Sequence, residues 1–277
     1  MTVDDSVRRK FAVRFGPSAV AWLDALPALV ESLCAQWKLS VERAVAEGGT
    51  SRVYRCRRED GSRAFLKLTP DREVAAAELV ALRAWRRSPH MVDVLADDLD
   101  AGALLLPAID PGTMVEDEPD LIPFELLRSL REDVDVPATG LAHLSERVRF
   151  MAELTTRRAP ELESLTGRGI ELAYGGTQGL VHGDLHARNV LRGRHGLVAI
   201  DPRPTVGDVT FDLVDWALAP AVGSVAELER RISRITAALS DVDGERLLAW
   251  CSALAVVIAA TLPPGAQRDF LIGLTDR

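Results

Sequence analysis

Lysine is nearly missing from this 277-residue chain. Of its 33 basic residues only Lys10, Lys38 and Lys67 are lysines, and the rest are arginines. A lysine kept inside an apolar strand therefore needs a chemical reason. Cysteine is also scarce. Cys34, Cys56 and Cys251 stand far apart, with no C-x-x-C pair, and an odd number cannot close a disulfide framework. Reduced core thiols of a cytoplasmic protein are the expected reading. Long apolar runs are absent. The longest, 253–260, falls well short of the roughly 20 residues that span a bilayer. Asp4 and Asp5 stand where a secretory signal carries basic residues. A cytoplasmic location with no membrane partner is expected. Positive charge is in deficit, 33 basic against 41 acidic residues, for a net charge of −8. The arginine doublets are dispersed, so the chain lacks the basic face that nucleic acid requires. What remains is ordinary globular material, 47% hydrophobic and 27% charged, enough to bury a core.

Hydrophobic spacing divides the chain. Trp22, Leu23, Leu26, Leu29, Val30, Leu33 and Trp37 recur at helical intervals over the first forty residues. Two strands are expected over 53–56 and 64–68, joined by a hairpin turn at 59–62. Asp71 is placed to cap a helix running to about Arg87. Short strands are expected near 91–95 and 103–106. The segment 107–123 is rich in proline and glycine and reads as a loop containing the domain junction, giving an N-terminal unit of 1–107 and a C-terminal unit of 108–277. Helices are expected over 121–133, 140–158, 211–220, 224–240 and 243–262. A strand, a polar loop and a hairpin interrupt them between 179 and 201. The fold class is α+β, with a small β-rich first lobe and a mainly helical second lobe.

The polar loop carries the densest chemistry. Asp184 and Asn189 stand five apart in V-H-G-D-L-H-A-R-N, and Asp201 lies twelve beyond Asn189 at the end of an apolar strand. That is the spacing of a kinase catalytic loop followed by its metal-binding aspartate. Phosphoryl transfer needs a carboxylate to accept the acceptor hydroxyl's proton, a role that fits Asp184. It also needs oxygen ligands for Mg²⁺, which Asn189 and Asp201 supply. Lys67 closes the strand-like A-F-L-K. Its ammonium is a compact point charge suited to phosphate oxygens, where a planar arginine fork fits less well. The following helix offers Glu78 or Glu73 as its carboxylate partner. Glu78 is favoured because it shares a face with Leu82, and Glu73 stays open. Glu47 to Ser51 is a glycine-led turn whose backbone, with Thr50 and Ser51, could fold over phosphates. Pro107, Ala108 and Ile109 end the first unit's last strand, where backbone groups could meet a nucleotide base.

Each element also has a plainer reading. His182 and His186 are structural histidines rather than a zinc pair, since Gly183 breaks the helix between them. Asp201 before Pro202 could be a turn residue. Asp208, Asp212 and Asp215 could be surface carboxylates or helix caps, and Asp212 could equally brace the polar loop. The order Lys, helix Glu, Asp-x₄-Asn, Asp decides for kinase chemistry.

The stretch 182–191 followed by A-I-D-P-R-P and then V-G-D…F-D-L resembles the aminoglycoside phosphotransferase superfamily, closest to its streptomycin 6-kinase and hydroxyurea phosphotransferase group. Residues 21–30, 37–39 and 60–68 are similar to that group's N-terminal region. The resemblance implies a bilobal, protein-kinase-like fold, ATP or GTP as donor, Mg²⁺, and a small hydroxylated acceptor. It implies Asp184 as base, Asn189 and Asp201 on the metal, and Lys67 on phosphate. The expected function is a monomeric small-molecule kinase acting on an aminoglycoside-like cation. The alternatives are a metabolic kinase for a sugar or amino alcohol, and a nucleotide-binding protein without transfer activity.

Overall fold

A computed structural model describes residues 4–45, 50–116, 118, 120–134, 140–218 and 222–275. The chain divides into two compact units. One comprises the residues up to Arg83 together with Val92–Ile109, and the other comprises Ala84–Met91 and everything from Asp110 on.

The first unit opens with helix α1 (Asp5–Phe15), which Asp4 caps by accepting from the Ser6 N–H at 2.6 Å. Helix α2 (Ser18–Trp37) follows. Its residues Ala19, Leu23, Leu26, Val30 and Leu33 recur at three- and four-residue intervals and are all buried. By length and composition α2 could cross a bilayer, yet this stripe packs into the core of the unit. Each fully buried leucine there contributes about 1.5–3 kcal/mol. Strand β1 (Leu39–Val45) pairs with β2 (Arg52–Arg58), which pairs with β3 (Arg63–Leu68). Asp60 and Gly61 make the β2–β3 turn. Asp60 accepts from the Ser62 N–H at 2.8 Å, and Gly61 takes the positive φ of 81° that the turn requires. Helix α3 (Arg72–Ala84) starts at Asp71, whose carboxylate accepts from the Glu73 and Val74 N–H groups. Strands β4 (Ala96–Asp98) and β5 (Ala103–Pro107) complete an antiparallel sheet of order β1-β2-β3-β5-β4.

Several expectations change here. No strand runs over 91–95. Met91 makes only an isolated bridge to Ala199, and pairing with β5 begins at Ala96. Buried Met91 and Val92 give the segment an apolar look without a strand's alternation. Strand β1 was not expected, because charges at Glu42 and Arg43 mask an edge strand. Glu42 is in fact held across the sheet by Arg55 and Arg57, each at 2.7 Å.

The second unit holds two small sheets among helices. Strand β6 (Pro111–Met114) pairs with β8 (Val190–Gly193), which pairs with β9 (Gly196–Ala199). Strand β7 (Gln178–Val181) pairs with β10 (Thr205–Asp208). The helices are α4 (Phe124–Glu132), α5 (Leu144–Arg158), α6 (Arg168–Leu172), α7 (Val214–Leu218), α8 (Val225–Ala238), α9 (Gly244–Ala259) and α10 (Ala266–Leu274). Strand β6 lies inside the segment expected to be loop, and β10, α6 and α10 were not anticipated. Helix α9 is the unit's central rod, with Leu247, Trp250, Cys251, Leu254, Ala255 and Val256 all buried.

Asp208 ties α9 to β10. It is fully buried and accepts from Arg246 Nε at 2.5 Å and from Trp250 Nε1 at 2.6 Å. Its other oxygen takes the Thr210 N–H at 3.0 Å. A surface carboxylate was one of the expectations for this residue, and the cap is the other. All three cysteines are free. Burial raises their thiols, Cys56 to about 11, which keeps them protonated.

Breaking a buried ion pair strands its partner, at a cost of about 3–5 kcal/mol. Asp208→Ala is therefore expected to lower the urea-unfolding free energy by that amount. Glu59→Ala, which breaks the exposed pair with Lys38, should cost under about 1 kcal/mol. Equal effects of the two substitutions would contradict the role given to Asp208.

Candidate active site

In the first unit, Lys67 is the fifth residue of β3 and points into a buried setting. Its ammonium donates to both carboxylate oxygens of Glu78, each at 2.6 Å. The side chains are 11% and 4% exposed. Glu78 projects from the second turn of α3. Glu73 lies in the first turn and is exposed. Thr50 and Ser51 are buried at the start of β2. The glycines at 48 and 49 that were expected to fold over phosphates lie outside the described residues. Pro107 ends β5 opposite Ala64 and has no N–H to offer. The Ala108 N–H is already donated to the Arg63 carbonyl at 3.1 Å. Of the backbone groups of these three residues expected to meet a base, the N–H left to donate is that of Ile109.

In the second unit, the polar loop leaves β7 at His182, a residue with no exposed surface. Its ring is a staple. Nδ1 accepts the Asp184 N–H at 3.3 Å, so the neutral ring carries its proton on Nε2, which donates to the Ile200 carbonyl at 3.2 Å. One ring thus joins the loop that carries Asp184 to the residue before Asp201. Burial pushes its pKa down from 6.5 to about 4, against the pull of Asp184 and Asp201 nearby. A second staple comes from the turn before α7. Asp212 accepts the His182 N–H at 2.6 Å and the Gly183 N–H at 2.8 Å, one on each oxygen. Burial raises the Asp212 carboxyl to about 7 despite both bonds. Gly183 has φ 76°, and a Cβ there would collide with the Arg203 carbonyl oxygen, so only glycine fits.

The loop then places its donors. The Asn189 Nδ2 donates to the Asp184 carbonyl at 2.9 Å and to Asp184 Oδ2 at 3.3 Å. This leaves the amide oxygen facing the other way, as an available oxygen ligand. The Asn189 carbonyl accepts the Ile200 N–H at 2.9 Å, fixing the ends of β8 and β9 together. Asp201 follows with φ 57°, a left-handed backbone that turns the chain sharply away from β9. Asp184 Oδ1 receives Arg147 Nη2 at 2.9 Å, and Arg147 Nε donates to the Gly183 carbonyl. Arg147 comes from α5, and sequence reasoning missed it. In a chain whose default cation is arginine, nothing marked it. Asp215 is half-buried, with its carboxyl pushed up by desolvation and by Asp184 and pulled down by His186 and Arg147.

An amide oxygen and a carboxylate are hard donors of the type Mg²⁺ prefers, alongside water and phosphate oxygens. No cluster of three His, Cys, Asp or Glu residues capable of enclosing a metal occurs among the described residues. The donor set fits an ion that takes its remaining ligands from a substrate.

Solved structures with a similar fold include small-molecule phosphotransferases. A type I macrolide 2'-phosphotransferase matches with a TM-score of 0.59 and 16% identity, covering 90% of this chain and 95% of that one. The aminoglycoside phosphotransferase APH(4)-Ia, in ternary complex with ADP and hygromycin B, matches with a TM-score of 0.57 and 14% identity, covering 89% and 96%. The architecture is thus the bilobal, protein-kinase-like one, with a small β-rich lobe and a mainly helical lobe. Residues 167–263 match the model of the aminoglycoside/hydroxyurea antibiotic resistance kinases. The streptomycin 6-kinase of Streptomyces glaucescens is 33% identical over 267 residues, 90% of this chain and 86% of that protein. The hydroxyurea phosphotransferase of Kitasatospora aureofaciens is 32% identical over 259 residues, 86% of this chain and 74% of that one. The chain belongs to this antibiotic resistance kinase family.

The His182 staple has a pH signature. Its unfolded imidazole titrates near 6.5 and its folded one near about 4, so the unfolded state binds the extra proton between these values. Folding stability should fall as the pH is lowered across that window, by about 1 kcal/mol per pH unit. Asp212 acts in the opposite sense, because its raised carboxyl makes the folded state the better proton binder there. The difference between wild type and His182→Gln therefore isolates the histidine. The variant's urea midpoint should lose that acid-side decline relative to wild type, and parallel midpoints across the window would contradict the neutral staple.

Proposed function

We propose that this kinase transfers the γ-phosphoryl group of ATP to a hydroxyl of a cationic, hydroxylated acceptor of the streptomycin type. The relatives named for streptomycin phosphorylation support this choice of acceptor, since they are similar over most of both chains. The acidic net charge of −8 suits a polycation. The observation that carries the reading is the geometry around Asp184. Its Oδ1 is taken by Arg147 and its backbone carbonyl by Asn189, while the carboxylate remains 32% exposed. A carboxylate held at Oδ1 by a short charged contact, and at Oδ2 only by the longer Asn189 and His186 contacts, can orient a hydroxyl in line and take its proton.

In this reading Lys67, held by Glu78, neutralises phosphate oxygens of the donor, and Thr50 and Ser51 border them. The N–H of Ile109 and the carbonyls of Pro107 and Ala108 are the backbone groups offered to the base. Asn189 Oδ1 and an Asp201 carboxylate oxygen would hold Mg²⁺, which would supply charge neutralisation for the transferring phosphoryl group. The cytoplasm, where ATP is abundant, is the assigned location, and a monomer is the assigned state.

Asp184→Asn keeps the side-chain shape and removes its capacity to accept a proton. With streptomycin and ATP, turnover should fall by on the order of 10² to 10⁴, the usual worth of a positioned general base. ATP affinity should stay within about twofold of wild type on the same grounds. Near-normal turnover would make Asp184 a structural residue. A loss of ATP binding instead of turnover would move it to the metal. Asp201→Ala separates the two roles, because its ATP binding should lose its response to Mg²⁺.

A further inference from the structure

The carboxylate of Asp184 needs an external constraint. An aspartate side chain turns freely about its last torsion, and a base that swings cannot hold a hydroxyl in line. The loop itself supplies only longer contacts to the carboxylate, Asn189 Nδ2 to Oδ2 at 3.3 Å and His186 Nε2 to Oδ2 at 3.9 Å. The short contact comes from outside the loop. Arg147 reaches across from α5 and sets the two arms of its planar fork on adjacent acceptors. Nη2 donates to Asp184 Oδ1 at 2.9 Å, and Nε donates to the carbonyl of Gly183. One arm fixes the carboxylate torsion and the other fixes the peptide that leads into it. A lysine has no such fork and could satisfy one of these acceptors at a time.

The surroundings of Arg147 fix the guanidinium as well. Its side chain is 18% exposed. Burial and the neighbouring Arg203 lower its pKa, while Asp184, Asp212 and Asp215 raise it. Desolvation therefore works against the charge, and these carboxylates work for it. Such a residue is costly to keep unless the charge is used. A neighbouring cation weakens any base, yet phosphoryl transfer through a loose transition state asks little of base strength and much of position.

We infer that Arg147 is a positioning residue for the acceptor half of the reaction, holding Oδ1 of Asp184 so that Oδ2 faces the acceptor hydroxyl. This rests on the reading of Asp184 as the base. It predicts damage confined to turnover and acceptor alignment, with the nucleotide side untouched.

The test uses the full chain with streptomycin and ATP·Mg²⁺, comparing Arg147→Ala, Arg147→Lys and Asp184→Asn. Arg147→Ala should lower kcat by about 10- to 100-fold, in line with misplacement of a catalytic group. The KM for ATP should remain at the wild-type value. Guanidinium chloride at tens of millimolar should restore part of the lost kcat in Arg147→Ala and none in Asp184→Asn. Arg147→Lys keeps the charge, guards against a misfolded alanine variant, and should recover only a fraction of wild-type kcat. Wild-type kcat in Arg147→Ala or in Arg147→Lys, alongside an inactive Asp184→Asn, would overturn the positioning role and leave Asp184 as the base. An Asp184→Asn variant with normal turnover would overturn both. A rise in ATP KM that tracks the fall in kcat would show that Arg147 only supports the fold of the loop.

Discussion

The catalytic segment depends on a histidine that stays uncharged. His182 sits with no exposed surface and both ring nitrogens engaged, one accepting from the Asp184 backbone and the other donating to Ile200. Only the neutral tautomer fits this pair of partners, and burial makes that tautomer the stable one. Asp184, the proposed base, and Asp201, a proposed metal ligand, follow different strands, so something must hold their backbones in register. The imidazole does so over a few ångströms, and Asp212 fixes the loop from the opposite side. Gly183 lets the chain pass the Arg203 carbonyl between them.

Around this frame the charges are arranged by burial. Asp184, Asp212 and Asp215 fall in one neighbourhood with Arg147 among them. Desolvation, and to a lesser degree repulsion between neighbouring carboxylates, raises the pKa values of Asp212 and Asp215. Asp184 keeps a carboxylate that is 32% exposed. The Lys67–Glu78 pair in the other unit follows the same logic: a buried ammonium stays charged because a bidentate carboxylate holds it. Asp208, with Arg246 and Trp250, anchors the strand that leads to Asp212. A buried polar node thus stands behind each functional group.

Much of this was legible in the sequence because the chemistry is local. Asp184, Asn189 and Asp201 lie within one short stretch, so their spacing alone exposes the phosphoryl-transfer pattern. Lys67 stood out against an arginine-rich background, and Glu78 followed from helical geometry. Arg147 did not stand out, because it lies 37 residues before its partner and is one arginine among many. Strands β1 and β10 escaped notice for a related reason: their identity is set by the strands they pair with, and their own residues do not alternate clearly. The helices α2, α5, α8 and α9 were readable, since each carries an apolar stripe of several turns. The strand expected at 91–95 shows the converse error, where burial of two apolar residues imitates a strand that the pairing does not extend. The acceptor side has no comparable signature, because recognition of a cation by scattered side chains leaves no fixed spacing.

The central claim is that this chain moves one phosphoryl group from ATP to an alcohol of a small cation. Mass spectrometry of streptomycin after incubation with the enzyme, ATP and Mg²⁺ tests it most directly, with hydroxyurea, hygromycin B and choline as parallel acceptors. The account predicts streptomycin heavier by a single phosphoryl group, formed in step with ADP and absent when Mg²⁺ is chelated. Unmodified streptomycin beside a phosphorylated choline or hydroxyurea would contradict the acceptor. No modified acceptor in any tube, with ATP demonstrably bound, would contradict the transfer itself.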